Sequence, residues 1–141
     1  MNAADERVGD WMALPLPAIT PRTGISTALR LLREHRAQAL AVLDGPRFVG
    51  LVDEASLPRF TPSEATTLDV YEIRELLDRL TVDRATAPAE AVAADAPLSV
   101  AAATMRRARA HVLPVMDGER LVGLLPWTRL LAAFSKRDRS P

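Results

Sequence analysis

Apolar residues recur at the i, i+3, i+4, i+7 spacing of one helix face in two parts of this chain, and each part predicts an amphipathic helix. The two sets are Ile25, Ala28, Leu29 and Leu32, and then Leu98, Ala101, Ala102 and Met105. A serine that can cap or open the helix lies near the start of each set, at Ser26 and at Ser99. Each predicted helix therefore has one face that is built to be buried.

Two short apolar runs follow each predicted helix and indicate a β-hairpin. ALAVL and RFVGLV are joined by Asp44-Gly45, and VLPVM and RLVGLL are joined by Asp117-Gly118. Asp-Gly between apolar runs predicts a tight hairpin, because glycine, and to a lesser degree aspartate, tolerates positive φ. A short extended piece precedes each helix, at residues 18–20 and 91–93, and a second helix is expected to start near Asp53 and near Pro126.

These elements form an internal repeat. A shift of 73 positions aligns residues 10–57 with residues 83–130 without a gap, and 17 of the 48 aligned positions are identical. Residues 61–80, between the copies, end in an amphipathic pattern that predicts a packed helical connector. We therefore predict a first repeat at residues 8–60, a structured connector at 61–80, a second repeat at 81–134 and a frayed tail at 135–141.

Composition narrows the classes of function. Hydrophobic residues make up 48% of the 141 residues, and 18 basic residues balance 18 acidic ones, so no overall field draws the chain to nucleic acid or to an anionic membrane. The absence of cysteine excludes disulfides and thiolate sites. The first residues lack the pattern of a signal peptide and no apolar run is long enough to span a bilayer, so we expect a cytoplasmic protein.

The repeat, the element order and three motifs resemble the CBS-domain pair, or Bateman module. Asp10-Trp11-Met12, residues 40–50 and residues 113–123 carry this resemblance, which covers roughly residues 8–134. The connector, with Tyr71-Glu72-Ile73 and Leu76-Leu77, is similar to that of stand-alone, acetoin-utilization-type CBS-pair proteins.

The resemblance implies an α/β (α+β) fold in which pseudo-twofold tandem β-α-β-β-α repeats pack through their sheets. It also implies a homodimer formed through helices, and clefts between the repeats that hold AMP, ADP, ATP or S-adenosylmethionine in many members. Such modules are regulatory, and occupancy changes the shape of an attached enzyme or transporter. We expect no such attached domain here, and therefore a signal that passes to a separate protein partner.

The ligand signature of this family is altered in both copies. It consists of Gly, two aliphatic residues, Thr or Ser, two further residues and Asp, and it places a hydroxyl near phosphate and a carboxylate near ribose. At the first junction between strand and helix (residues 50–57), Asp53 and Ser56 stand at the two polar positions. At the second junction (residues 123–130), Pro126 and Arg129 stand there. The resemblance adds Thr20, Val92 and His111 to the candidate ligand-binding residues.

Each of these residues also has a plain structural interpretation. Asp53 is a good N-cap, Pro126 suits a first helical turn, and Arg129 suits a solvated surface. Trp127 could stack on an adenine or a partner, but packing in a dimer of helices is the favoured interpretation. His111 precedes a strand that borders the cleft, so a binding role is open.

Other classes of function are disfavoured. No nucleophile motif, phosphate-binding glycine loop, paired carboxylates or metal-ligand spacing is present, so we expect a protein that is not an enzyme and holds no metal. The arginines of the two aligned helices lack the interleaved aromatic residues of a nucleic-acid surface. Two hypotheses therefore remain: a regulatory module that senses a small molecule of adenosine type, and a degenerate, ligand-free homodimeric scaffold.

Overall fold

The computed structural model describes residues 3–14, 18–57, 72, 75 and 79–138, the side chains of residues 136–138 excepted. Within this part of the chain the helices are α1 (Ile25–Glu34), α2 (Leu98–Ala108) and α3 (Trp127–Asp138). The strands are β1 (Leu40–Asp44), β2 (Arg47–Val52), β3 (Val92–Ala93), β4 (Val112–Asp117) and β5 (Arg120–Pro126). Short 3-10 turns cover Ala3–Asp5, Val8–Asp10, Glu54–Ser56 and Val82–Arg84.

Two compact units divide the chain. The first-repeat unit consists of Pro17–Pro88, and the second-repeat unit consists of Met1–Leu16 together with Ala89–Pro141. None of the helices in the described ranges is long and apolar enough to cross a membrane.

The first-repeat unit is built around the hairpin of β1 and β2. These strands are antiparallel, and Gly45 makes the turn with a φ of 61°, the left-handed conformation that glycine adopts without steric cost. Ile19 bridges Val42 in parallel and so adds a minimal third strand. The helix α1 covers the hairpin with the apolar face that the sequence predicts, since Ile25, Ala28 and Leu32 are buried.

The second-repeat unit repeats this arrangement. The strand order is β3-β4-β5, with β3 parallel to β4 and β4 antiparallel to β5. The turn between β4 and β5 is made by Gly118, whose φ is 62°. The buried core joins the sheet to both helices of the unit: Val8, Val92, Leu98, Ala101, Met105, Leu113, Val115, Leu125 and Ala133.

The first residues of each repeat form a lead-in segment, residues 8–13 and residues 82–87, which packs in the unit of the other repeat. In the second-repeat unit, the Val8 amide donates to the Ala96 carbonyl at 2.9 Å, and Val8 is fully buried. In the first-repeat unit, the Val82 amide donates to the Thr23 carbonyl at 2.9 Å, and Val82 is fully buried as well. Each core is therefore completed by the lead-in segment at the start of the other repeat.

The lead-in segments show that the ungapped alignment is wrong over its first residues. The 3-10 turns begin at Val8 and Val82, which are 74 positions apart. The bodies of the repeats, which comprise the helix and hairpin of each copy, align with a shift of 73 positions. The bridges that follow, from Ala13 and Ala87, also differ by 74. One extra residue in the second lead-in thus precedes the aligned bodies, and the identity of Asp10 with Asp83 does not mark equivalent positions.

The predicted fold class is confirmed within the described residues, as mixed α/β units with tandem β-α-β-β elements. The second helix of the first repeat and most of the connector lie outside those residues; of the connector helix, residues 72, 75 and 79 are described and are helical. The helix α3 continues to Asp138, four residues beyond Phe134. The boundaries assigned to the repeats, connector and tail stay a prediction.

Candidate functional site

A glycine lies next to a closely approaching lead-in segment at both junctions. Gly50 is in β2, and a Cβ built there would collide with the Ala87 carbonyl oxygen and lie 2.9 Å from Thr86 Cγ2. At Gly123 in β5, a Cβ would lie 2.5 Å from Met12 Sδ and 2.8 Å from the Ala13 carbonyl oxygen. The glycine shared by the two repeats is therefore required by the close approach of these segments, whatever the junction binds.

The two polar side chains of the first junction, Asp53 and Ser56, each hydrogen-bond to the backbone of the other residue. Asp53 Oδ1 accepts from the Ser56 amide at 2.8 Å, and the Asp53 amide donates to Ser56 Oγ at 3.1 Å. These two bonds form a capping box at the start of the Glu54–Ser56 turn. The interpretation of Asp53 as an N-cap is confirmed, and the hydroxyl of Ser56 is committed to the backbone of Asp53, to which it also donates at 2.9 Å.

The second junction has no such box. The prediction that Pro126 lies in the first helical turn is wrong by one residue: Pro126 is the last residue of β5, paired with Val112, and α3 begins at Trp127. Proline has no amide hydrogen to donate, and the Trp127 amide donates to the His111 carbonyl at 2.8 Å. Pro126 thus ends the strand, and the bond from Trp127 to His111 holds the start of α3 against the start of β4.

The side chains of the second junction are exposed and do not converge on one pocket. His111, Trp127 and Arg129 are all exposed. Residues two apart on a helix do not face each other, so Trp127 and Arg129 do not form one pocket, whereas Trp127 and Leu131, four apart, share a face.

The structure does not bring Thr20 to Asp53. The carbonyl of Ile19 accepts from the Leu43 amide at 2.8 Å, so Thr20 lies towards the hairpin turn, while Asp53 follows β2 at the opposite end of the same strands. The Thr20 amide donates to Thr23 Oγ1 at 3.1 Å within an exposed turn. Val92 lies on the edge strand β3, paired with Val115, and its side chain is buried in the core, so that side chain is not at a ligand surface.

A cavity at the hairpin end of the second-repeat unit was not predicted from the sequence. It has a volume of about 410 Å³ and lies far along β4 from the second junction. Its lining residues are Arg7, Gly9, Asp10, Ala93, Ala94, Asp95, Met116, Asp117 and Gly118. The charged residues come from three separate segments, so no local spacing in the sequence could indicate that they meet.

The corresponding end of the first-repeat unit pairs its polar groups internally. The Thr81 hydroxyl donates to Asp83 Oδ1 at 2.6 Å, and this bond lowers the pKa of the exposed Asp83 carboxyl. Within the described residues no group of three or more His, Asp or Glu side chains is placed to hold a metal ion.

Comparison with known proteins identifies the fold. The chain resembles CBSX2, a CBS-pair protein from Arabidopsis thaliana, with 26% sequence identity and a TM-score of 0.74 over 96% of this chain and 98% of that one. It resembles a structure of CBSX2 in complex with AMP, also at 26% identity, with a TM-score of 0.72 over 94% and 98% of the two chains. The fold is shared with the CBS domain of a bacterial CNNM/CorC family Mg²⁺ transporter in complex with ATP, at 19% identity and a TM-score of 0.74 over 94% and 89%.

No curated protein sequence matches this chain. The family model of the CBS domain, however, matches it twice, at residues 8–59 and at residues 79–136, and together the two matches cover most of its length. The predicted resemblance is confirmed by these matches, by the repeated β-α-β-β units and by the structural neighbours. This chain therefore belongs to the CBS-domain family and carries two CBS domains in tandem.

Proposed function

We propose that this CBS pair is a non-catalytic regulatory module that binds a ligand of adenosine type at its second junction and signals to a separate protein partner through the shape of a homodimer. The similarity to CBSX2, which has been crystallised with AMP, supports this class of ligand. The observation that carries the choice of junction is the capping box at Asp53, which has no counterpart at Pro126.

The chemistry of the second junction suits the phosphate of such a ligand better than its ribose. The helix α3 has 12 residues and begins at this junction, so the positive N-terminal end of its dipole lies there. Arg129 can donate to phosphate oxygens, and His111 adds a second exposed donor beside the start of the helix. Arg129 cannot accept from ribose hydroxyls, so the ribose contact of the family signature is lost, and we expect weaker discrimination of the sugar than the signature provides.

The outer face of α2 and α3 supports the homodimer. Val100 is 46% exposed, Trp127 is 45% exposed and Leu131 is 55% exposed, although all three are large apolar residues. Ser99, Ala103, Thr128, Ala132 and Ser135 are exposed and uncharged on the same two helices, whereas Arg106, Arg107 and Arg129 are exposed and charged. Arg107 is paired with Glu90 at 2.7 Å. The apolar and uncharged part of this surface, in a chain with a formal net charge of zero, fits a second copy of the same surface.

A panel of AMP, ADP, ATP and S-adenosylmethionine tests the ligand by thermal shift and by calorimetry. A ligand present at a hundred times its dissociation constant adds about 2.7 kcal/mol to the free energy of unfolding. We expect at least one member of the panel to raise Tm in this way. A folded protein whose Tm does not change with any member would refute an adenosine-type ligand.

Sedimentation tests the dimer independently of the ligand. We expect the wild-type chain to sediment as a dimer at micromolar concentration and Leu131→Glu to sediment as a folded monomer, because the substitution places a charge in the centre of the face. The matched control is Glu34→Ala, which changes an exposed helix position in the first-repeat unit. A monomeric wild type, or a dimeric Leu131→Glu, would contradict the proposed face.

The exposed apolar face also favours the second candidate function, a ligand-free homodimeric scaffold. The scaffold needs the dimer but no ligand, so the two experiments separate the candidates. A dimer that binds none of the four compounds would support the scaffold, whereas a dimer whose Tm rises with one of them would support the regulatory module.

A further inference from the structure

We infer that the first junction is closed to anionic ligands by the carboxylate of Asp53, so that each chain binds one nucleotide and not two. This inference rests on the proposed function, because it concerns the division of binding between the two junctions of the same chain. It makes Asp53 a specificity-determining residue that acts by exclusion.

The hydrogen bonds hold the Asp53 carboxylate in place. Asp53 Oδ1 accepts from the Ser56 amide at 2.8 Å, so the negative charge of the carboxylate is held at the start of the turn, where an anionic group of a ligand would approach. The Ser56 hydroxyl is held by two bonds to the Asp53 backbone, at 3.1 Å and 2.9 Å. The first junction therefore presents a fixed negative charge to a phosphate.

The charge around the first junction adds to the exclusion. Glu54 follows Asp53 directly, and its carboxylate lies 3.4 Å from the guanidinium of Arg33 in an exposed ion pair, which neutralises Arg33 without providing a free cation. Repulsion between the carboxylate and a phosphate a few ångströms away costs about 1 kcal/mol or more even when water screens it. This repulsion corresponds to a loss of about fivefold or more in affinity.

The second junction has the opposite electrostatic character. From Pro126 to Leu130 it contains no acidic residue, and the position aligned with Ser56 is Arg129. The two repeats thus present an anion-repelling junction and an anion-tolerating junction on otherwise similar hairpins. Because the difference lies in side chains at aligned positions, it can be tested by substitution without changing the fold.

Calorimetric titration with AMP tests the inference. The wild-type chain should bind one AMP per chain. Asp53→Asn should bind two, because asparagine retains the ability to cap the turn while the charge is removed, and the new event should be at least about fivefold tighter than any residual binding at that junction in the wild type. Ser56→Ala, which breaks the capping box but keeps the carboxylate, should still bind one.

Two further variants assign the wild-type event. Arg129→Ala should lose the binding of AMP that the wild-type chain shows. Arg120→Ala should retain this binding, because Arg120 is an exposed arginine at the hairpin end of β5, far from the second junction. Two AMP per wild-type chain, one per Asp53→Asn chain, or two per Ser56→Ala chain would each overturn the inference. No binding by any variant would instead refute the proposed function, so the two failures are distinguishable.

Discussion

Replacement of Gly50 by alanine tests whether the second lead-in segment approaches β2 as closely as the structure shows. The added methyl would collide with the carbonyl oxygen of Ala87, a backbone atom, and would lie 2.9 Å from the Ala87 carbonyl carbon. This stretch of lead-in is tied to β2 by two hydrogen bonds: the Leu51 amide donates to Ala87 at 3.0 Å, and the Ala87 amide donates to Leu51 at 3.1 Å. The methyl can be accommodated only if the lead-in moves away.

The cost of this movement has two parts. Overpacking of a well-packed site costs about 1–3 kcal/mol. Weakening of two backbone hydrogen bonds, each worth about 1 kcal/mol, adds to this. We therefore expect Gly50→Ala to lower the free energy of unfolding by about 2–4 kcal/mol.

Urea denaturation followed by circular dichroism measures this loss, and two other glycines serve as controls. Gly45→Ala should cost about 1 kcal/mol, because Gly45 has a positive φ but no atom lies within 4 Å of the added methyl. Gly123→Ala should cost less than Gly50→Ala, because two of its three nearest atoms belong to the flexible side chain of Met12. A Gly50→Ala variant no less stable than Gly45→Ala would refute the close approach of the lead-in.

Four other substitutions give predictions of known sign. Arg36→Gly and Arg109→Gly should each raise the free energy of unfolding by about 1 kcal/mol in urea denaturation, because both arginines have positive φ, 50° and 53°, at the ends of aligned helices; a loss of stability would contradict this. Thr81→Ala should raise the pKa of the Asp83 carboxyl towards its ordinary value, as measured by NMR titration. Because that pKa is lowered in the folded state, the ionised carboxyl contributes stability at neutral pH, and this contribution is lost as the pH falls below about 4. Thr81→Ala should reduce this pH dependence of the free energy of unfolding. An unchanged titration of Asp83 would rule out the hydrogen bond. Leu113→Ala, in the core of the second-repeat unit, should cost about 2–5 kcal/mol, and a cost below about 1 kcal/mol would place Leu113 outside that core.

The bodies of the two repeats could be predicted from the sequence because their signals are local. The spacing of Ile25, Ala28 and Leu32 marks the buried face of α1, and Asp44-Gly45 marks the turn of the hairpin. Each of these features depends on residues a few positions apart, so a repeated pattern is enough to identify it. The N-cap at Asp53 is local in the same way, and it was predicted correctly.

The lead-in segments could not be predicted, because their positions depend on contacts distant in the sequence. Val8 lies in the unit of the second repeat through its bond to Ala96, and nothing in the sequence near Val8 indicates this partner. An ungapped alignment hides the extra residue in the second lead-in, because Asp10 and Asp83 are identical under it. Pro126 was misplaced by one residue because a proline before a helix fits both the end of a strand and the first helical turn.

The candidate site was predictable in its residue types but not in its geometry. The exchange of the signature residues for Asp53 and Ser56 is visible in the sequence, whereas their mutual bonds at 2.8 and 3.1 Å are not. Without those bonds, an exchanged carboxylate and hydroxyl could still contact ribose. With them, the first junction is occupied by its own side chains.

The central claim, that this CBS pair binds an adenosine-type ligand at its second junction, is tested most directly by a crystal structure of the chain soaked with AMP. We expect difference density for one AMP per chain, with its phosphate within hydrogen-bonding distance of Arg129 or His111 and no density beside Asp53. Density for AMP beside Asp53 and Ser56, or an absence of AMP density at both junctions, would contradict it.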